Sequence, residues 1–393
     1  MSDVVREDVT RSNPATVAEA APTAPPPSGA PHETGSRTAA GAGQGRRPRS
    51  AKRLHVLDGL RLVAALMVVG YHYMGYDDWF RSPWGASTAS VFPTAHAAAV
   101  YGWLGVELFF LISGFVICLS CWGRTPRQFA VSRFIRLYPA YWFGVAATSA
   151  VLLLRPGGWD GKPNDILTNF TMLQEPIGAR DVDGVYWSLW VELRFYLLFA
   201  IIAVAGLTYR RVVLFCAAWL LAAALAPSSG LDLLNLLAVP EYAPFFVGGI
   251  LIHLIGRFGT GRPELWLMLG MSWLMAQDSL AQLVSDAEQS VGGGLSWGIA
   301  LAIVTLFYVL MLAAALGRLD FFNWRVLDVA GTLTYPLYLL HEDIGWEVIR
   351  HTHGQVNAFV LIAVLVAVML SAAWLVHRFV ERPAASRLKA WLA

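Results

Sequence analysis

From residue 55 onward the chain alternates long apolar blocks with short polar connectors. An α-helix rises about 1.5 Å per residue, so about 20 apolar residues cross a hydrocarbon core. Blocks near that length fall at 55–75, 98–121, 138–155, 186–207, 211–226, 240–256, 264–277, 294–316, 327–347 and 357–379. They predict an all-α fold, a polytopic membrane bundle of about ten transmembrane helices. The fifth and seventh blocks are short, and the seventh could be re-entrant. No fixed-period repeat is visible, and no inverted symmetry of the transporter kind.

Charge placement orients the bundle. With ten spans and a cytoplasmic N-terminus, 22 of the 29 Arg and Lys residues fall on the inner side, five outside and two within spans. Cytoplasmic segments of membrane proteins carry such an excess, and an odd number of spans would scramble it. Both termini are therefore expected in the cytoplasm of a multi-pass cell-membrane protein. The outer connectors are the reverse. Residues 156–185 hold Asp160, Asp165, Glu175, Asp181 and Asp183, and residues 278–290 hold only acidic charge.

Composition agrees with this layout. Of 393 residues, 56% are hydrophobic and 14% charged, with a mean hydropathy of +0.52. A soluble domain averages about 25% charged residues, so this chain could not cover its own surface in water. Residues 1–53 differ: they are rich in Ala, Pro, Gly and Arg and lack an apolar run that could serve as a signal-peptide core. They are expected to form a disordered cytoplasmic tail, and residues 54–393 a single membrane domain. The three cysteines, Cys118, Cys121 and Cys216, lie within apolar blocks. That suits packing better than disulfides or a metal site, since nothing completes a zinc set around the Cys118–Cys121 pair.

Ionisable residues at membrane depth are costly and mark function by default. The first span carries Asp58, Arg61 and His72. Eleven residues separate Arg61 from His72, which places them within about 20° of one face and about 16 Å apart along the axis. Asp58 is one turn from Arg61 and can pair with it. Glu107 on the second span, Glu192 and Arg194 on the fourth, and His341 with Glu342 and Asp343 on the ninth are expected in the same outer layer as His72. A histidine beside a carboxylate can remove a hydroxyl proton; a proton relay in a transporter would use the same parts. Interfacial packing is the plainer reading of His72 and His341, and a snorkelling pair that of Asp58 and Arg61. Ser113 and Gly114 would let another helix approach closely. In the inner connector 122–142, Arg133 and Arg136 share a face of a short amphipathic helix and suit phosphates, or lipid headgroups.

Several stretches resemble the membrane acyltransferase family 3. They are Leu57-Asp58-Gly59-Leu60-Arg61 with His72, Gly105 to Phe115 around Glu107, and Arg133…Arg136-Leu137-Tyr138-Pro139. Trp187-Ser188-Leu189-Trp190-Val191-Glu192, Tyr335-Pro336-Leu337-Tyr338-Leu339-Leu340-His341 and Glu381-Arg382-Pro383 follow in family order. The resemblance covers about residues 54–383. It implies about ten helices and O-acylation of sugars, cell-wall polymers, lipids or antibiotics, usually from acyl-CoA. It also implies that Arg61 and His72 form an Arg-x10-His signature with His72 catalytic, that Arg133 and Arg136 hold coenzyme A, and that Glu192 is the glutamate of a W-S-L-x-x-E motif. Glu107 departs from a commoner Asp, and Arg194 from a frequent Gln. An added extracytoplasmic hydrolase-like domain is not expected.

The expected activity is thus acyl transfer from acyl-CoA to a sugar hydroxyl, on a surface glycan or a macrolide-type antibiotic. Catalysis is assigned to His72, Glu192 and Arg61, with Glu192 or Glu107 orienting the imidazole. Binding is assigned to Arg133, Arg136, Glu107, Asp58 and His341. Expected partners are membrane lipids, acyl-CoA and a carbohydrate or glycosylated metabolite. No bound cofactor, metal or nucleic acid is expected. The alternative is a proton-coupled exporter of a lipid or small molecule, which would move its cargo without consuming acyl-CoA. A scaffold whose buried charges only pack is a third reading.

Overall fold

The computed structural model describes residues 55–77, 82–155, 157–322, 324 and 326–392. The expected tail, 1–53, lies outside them. The longer helices are, in chain order, α1 (His55–Gly70), α2 (Gly105–Cys121), α3 (Pro126–Leu154), α4 (Tyr186–Ala205), α5 (Tyr209–Ser229) and α6 (Ala243–Phe258). There follow α7 (Pro263–Val291), α8 (Trp297–Ala315), α9 (Val326–Leu340), α10 (Glu342–Thr352), α11 (Ala358–Val376) and α12 (Arg382–Leu392). Among the described residues there is no strand beyond one isolated bridge, His353 to Val356. The fold is all-α, as expected.

Among the described residues, eight helices are long and apolar enough to cross a membrane. The seventh and ninth expected spans do not meet both conditions: α7 has the length without the hydropathy, and α9 is apolar but only 15 residues long. The count of ten rests on those two.

Lipid-facing stripes are plain. On α11, Val360, Val364 and Val368 are exposed at four-residue spacing, while Leu361, Leu365 and Met369 are buried. Exposed apolar residues at helical spacing suit a hydrocarbon solvent, which the positions on both faces tolerate. At the centre stands α6, buried continuously from Ala243 to Ile255. It packs backbone to backbone with α2: Gly114 lies on the main chain of Phe246 and Gly249 on that of Leu111, where a Cβ would collide. Small residues allow this approach, as expected of Gly114.

Three boundaries move relative to the sequence reading, each for a local reason. Helix α3 begins at Pro126, not near 138, because Thr125 and Gln128 form a capping box and Pro126 occupies the first turn. Arg133 and Arg136 therefore stand on the inner turns of one continuous helix of 29 residues. Helix α7 runs on through 278–291, so the expected outer connector is helical. The ninth span is broken. Pro336 lies inside α9 and cannot donate to the helical ladder; the helix stops at Leu340, and α10 restarts at Glu342, leaving His341 at the break.

Candidate active site

Helix α1 ends in a π turn, Tyr71–Gly75, which carries His72. Such a turn loosens the carbonyl ladder, and here ring N–H groups take up three successive carbonyls. The indole of Trp346 donates to His72 O at 2.9 Å, that of Trp84 to Tyr73 O at 2.9 Å, and the His96 ring to Met74 O at 3.0 Å. The backbone under His72 is thereby fixed from three directions.

The imidazole is fixed as well. His341 Nδ1 lies 2.8 Å from the carbonyl of Tyr338, and its Nε2 lies 2.9 Å from His72 Nδ1. A carbonyl only accepts, so Nδ1 of His341 carries the hydrogen. In the neutral ring its Nε2 must then accept, and His72 donates to it through Nδ1–H. His72 is left with a bare Nε2, which lies 3.8 Å from Glu342 Oε2. The Tyr73 hydroxyl donates to the His341 carbonyl at 2.6 Å and rests where a side chain on Gly345 would be, locking the break in place.

Two cavities share part of their walls, and His72 lines one of them. The one on the side of the arginines, termed inner, is lined by Arg61, Arg133, Arg136, Glu192 and Tyr196 among others. The other, termed outer, is lined by His72, Glu107, Trp103, Trp187 and Tyr242 among others. Val106 and Tyr338 border both. The Tyr338 hydroxyl is held by Ser188 at 2.6 Å, so the partition is anchored.

Every candidate residue of the sequence reading can be placed. Arg61 pairs with Asp58 at 3.2 Å, as their spacing predicted; Asp58 is buried against Gly331 of α9 and lines neither cavity. Arg133 keeps a buried Nε without a hydrogen-bond partner among the described residues, on the wall of the inner cavity. His72 and Glu107 share the outer cavity, and His341 supports His72 from behind. Glu192 does not join them. It accepts from Ser113 at 2.5 Å and from Tyr196, and it faces the arginines of the inner cavity. The expected single layer of two histidines and two glutamates is therefore two layers, and the partners of the imidazole are His341 and Glu342. Arg194 points away, to the Leu236 carbonyl at 3.1 Å and the Trp190 ring.

Sequence reasoning passed over Tyr338, Ser188 and Tyr196 as motif letters; their hydroxyls next to buried polar residues were the available signal. It placed Glu342 only at the outer level, without a link to His72. Glu342 also borders a third cavity, with Trp159, Trp346, Arg155, Arg180 and Arg350. Asp181 lines it too, its pKa pushed up to about 7 by burial and by the neighbouring Glu175. Asp183, just behind, is raised well above the carboxylate range by burial and by Asp343. The three cysteines are buried and unpaired. Among the described residues no three His, Cys, Asp or Glu side chains group as a metal site.

The chain is 28% identical over 382 residues to "Acyltransferase MdmB" of Streptomyces mycarofaciens, covering 86% of this chain and 92% of that protein. It is 27% identical over 264 residues to "Nodulation protein 10" of Rhizobium leguminosarum bv. viciae, covering 57% and 68%. No solved structure matches. A family model described as an acyltransferase domain matches residues 54–378, from the start of α1 to the end of α11. A bundle of lipid-facing helices matched over that length by one family model belongs to acyltransferase family 3, a family of membrane-embedded O-acyltransferases.

Proposed function

We propose that this protein transfers a short acyl group, acetyl, propionyl or similar, from acyl-CoA to a sugar hydroxyl. Arg133 and Arg136 hold the donor's phosphates at the inner face, with Arg61 guiding the thioester along the inner cavity to Tyr338. His72 Nε2 takes the proton of the acceptor hydroxyl. The oxygen attacks the thioester carbonyl, the C–S bond breaks, and the imidazolium returns the proton to the departing coenzyme A thiolate. Glu342, 3.8 Å from Nε2, steadies the imidazolium while it carries charge. Glu192, with Ser113 and Tyr196, organises the inner cavity and does not act on the imidazole. The inner excess of arginine supports cytoplasmic termini and a cytoplasmic donor.

The observation that carries the reading is the meeting of two cavities at Tyr338, one walled by arginines and the other by a histidine whose free nitrogen is a base. The third cavity, combining Trp159 and Trp346 with arginines and carboxylates, supports the entry of a polar, ring-shaped acceptor, from a surface glycan or a macrolide-type antibiotic.

The test uses protein purified in nanodiscs, labelled acetyl- and propionyl-CoA, and a panel of glycosides. His72→Ala should lower transfer by about 100-fold or more, the usual share of a general base. Turnover near that of the wild type would remove His72 from the chemistry. Failure of the wild type to bind coenzyme A or esterify any alcohol would sink the reading, and flux driven by a proton gradient without loss of acyl-CoA would replace it.

A further inference from the structure

Two residues that line the outer cavity each keep a buried polar atom without a partner among the described residues. Glu107 is 2% exposed, and its Oε2 is sealed from solvent without a hydrogen bond. Trp103 Nε1, an indole donor, is equally sealed and unpaired. Both side chains line the cavity that His72 lines. A buried polar group without a partner costs stability, so native proteins rarely keep one. An acceptor and a donor kept together beside a catalytic base mark a place held for a ligand. The remaining walls are aromatic: Trp187 and Tyr242 pack with ring centroids 5.4 Å apart, and Tyr71 closes another side. Apolar and aromatic walls with a few placed polar groups describe a small-molecule site.

We infer that this cavity is the acceptor subsite and that it reads the hydroxyl next to the one being acylated. Resting on the acyl-transfer reading above, it assigns the acceptor to the class of ring compounds with neighbouring hydroxyls, such as a pyranose. The reacting hydroxyl faces His72 Nε2. Its neighbour donates to Glu107 Oε2, which offers a lone pair whether the carboxyl is ionised or protonated. Trp103 Nε1–H donates to a ring or hydroxyl oxygen, and the aromatic walls cover the C–H faces of the ring. Glu107 is thus a specificity residue and not the orienting partner of the imidazole.

The experiment compares a methyl pyranoside that the wild type acylates with its monodeoxy analogue, which lacks the hydroxyl adjacent to the acylated carbon. The wild type should favour the full pyranoside by about tenfold or more in kcat/KM, the worth of one hydrogen bond to a buried partner. In Glu107→Leu that ratio should collapse to near one. Glu107→Gln, which keeps an acceptor oxygen, should retain much of it and covers the case in which the Leu variant does not fold. Trp103→Phe, which removes the N–H together with the pyrrole part of the indole, should raise KM for the pyranoside. A wild type indifferent to the neighbouring hydroxyl, or Glu107 variants that slow both acceptors by one factor, would overturn the inference. His72→Ala separates the two proposals: if that variant still turns over while the Glu107 ratio behaves as stated, the base assignment fails and the subsite stands. If acyl-CoA is consumed only onto acceptors without neighbouring hydroxyls, the subsite fails and the enzyme stands.

Discussion

Removing His341 should damage catalysis without touching either substrate. In the structure its Nε2 accepts from His72 Nδ1–H at 2.9 Å while its own Nδ1–H is committed to the Tyr338 carbonyl at 2.8 Å. His341→Ala takes that acceptor away from the buried His72 Nδ1–H, at a cost of about 1–3 kcal/mol. The ring lowers that cost by moving its proton to Nε2, where the Glu342 carboxylate, 3.8 Å away, attracts it. That tautomer has lost its base. At about 1.4 kcal/mol per tenfold, the productive share, and with it kcat, should fall by about 5- to 150-fold. KM for donor and acceptor should stay within about twofold, because the ring touches neither. A glutamine at 341 presents an amide oxygen near the position of Nε2, so His341→Gln should recover most of the loss. The assay is steady-state transfer of labelled acyl groups in nanodiscs. Gel filtration and thermal midpoints confirm folding, and nitrogen NMR of labelled histidine reports which His72 nitrogen is protonated. A folded His341→Ala with kcat within about twofold of the wild type would refute the reasoning. So would a Gln variant as impaired as the Ala one, or a His72 tautomer that does not change.

Two further expectations use other parts of the molecule. Arg133 offers a buried Nε donor to the inner cavity; losing a charge-assisted hydrogen bond of about 1.5–3 kcal/mol should raise KM for acyl-CoA by about 10- to 150-fold in Arg133→Gln, and an unchanged KM would take Arg133 out of the donor site. Asp181, in the outer connector, has its pKa raised to about 7 by burial and Glu175. The folded state thus binds its proton more tightly than the unfolded chain, whose carboxyl titrates near about 4. This contribution to stability is whole below that pH and is lost as pH rises through about 7. The thermal midpoint in detergent should accordingly fall between about pH 5 and 8, and Asp181→Asn should flatten the slope; a midpoint that climbs over that window in the wild type and is untouched by Asp181→Asn would contradict it.

Hydropathy exposed the bundle, and local spacing exposed the Asp58–Arg61 pair, because both depend on residues close in sequence. The relation between His72 and the glutamates was less accessible, for two physical reasons. Depth was counted along straight helices, whereas the chain carries a π turn at His72 and a break at His341. The decisive hydrogen bond then joins residues 269 positions apart. Rotation was the second obstacle. In water the polar face of a helix shows which side is buried; in lipid both faces are apolar, and periodicity tells little about what a helix packs against. Glu107 and Glu192 therefore looked equivalent, two carboxylates in the outer halves of neighbouring spans. What separates them is the close packing of α2 on α6 through Gly114 and Gly249, and the grip of Ser113 and Tyr196 on Glu192. Once α2 is seated, Ser113 turns toward Glu192 on the inner side of Tyr338, while Glu107, six residues earlier, lies on the outer side with His72. Two carboxylates of one type thus come to line two cavities, one beside the arginines and one beside His72, and small residues rather than charged ones make the difference.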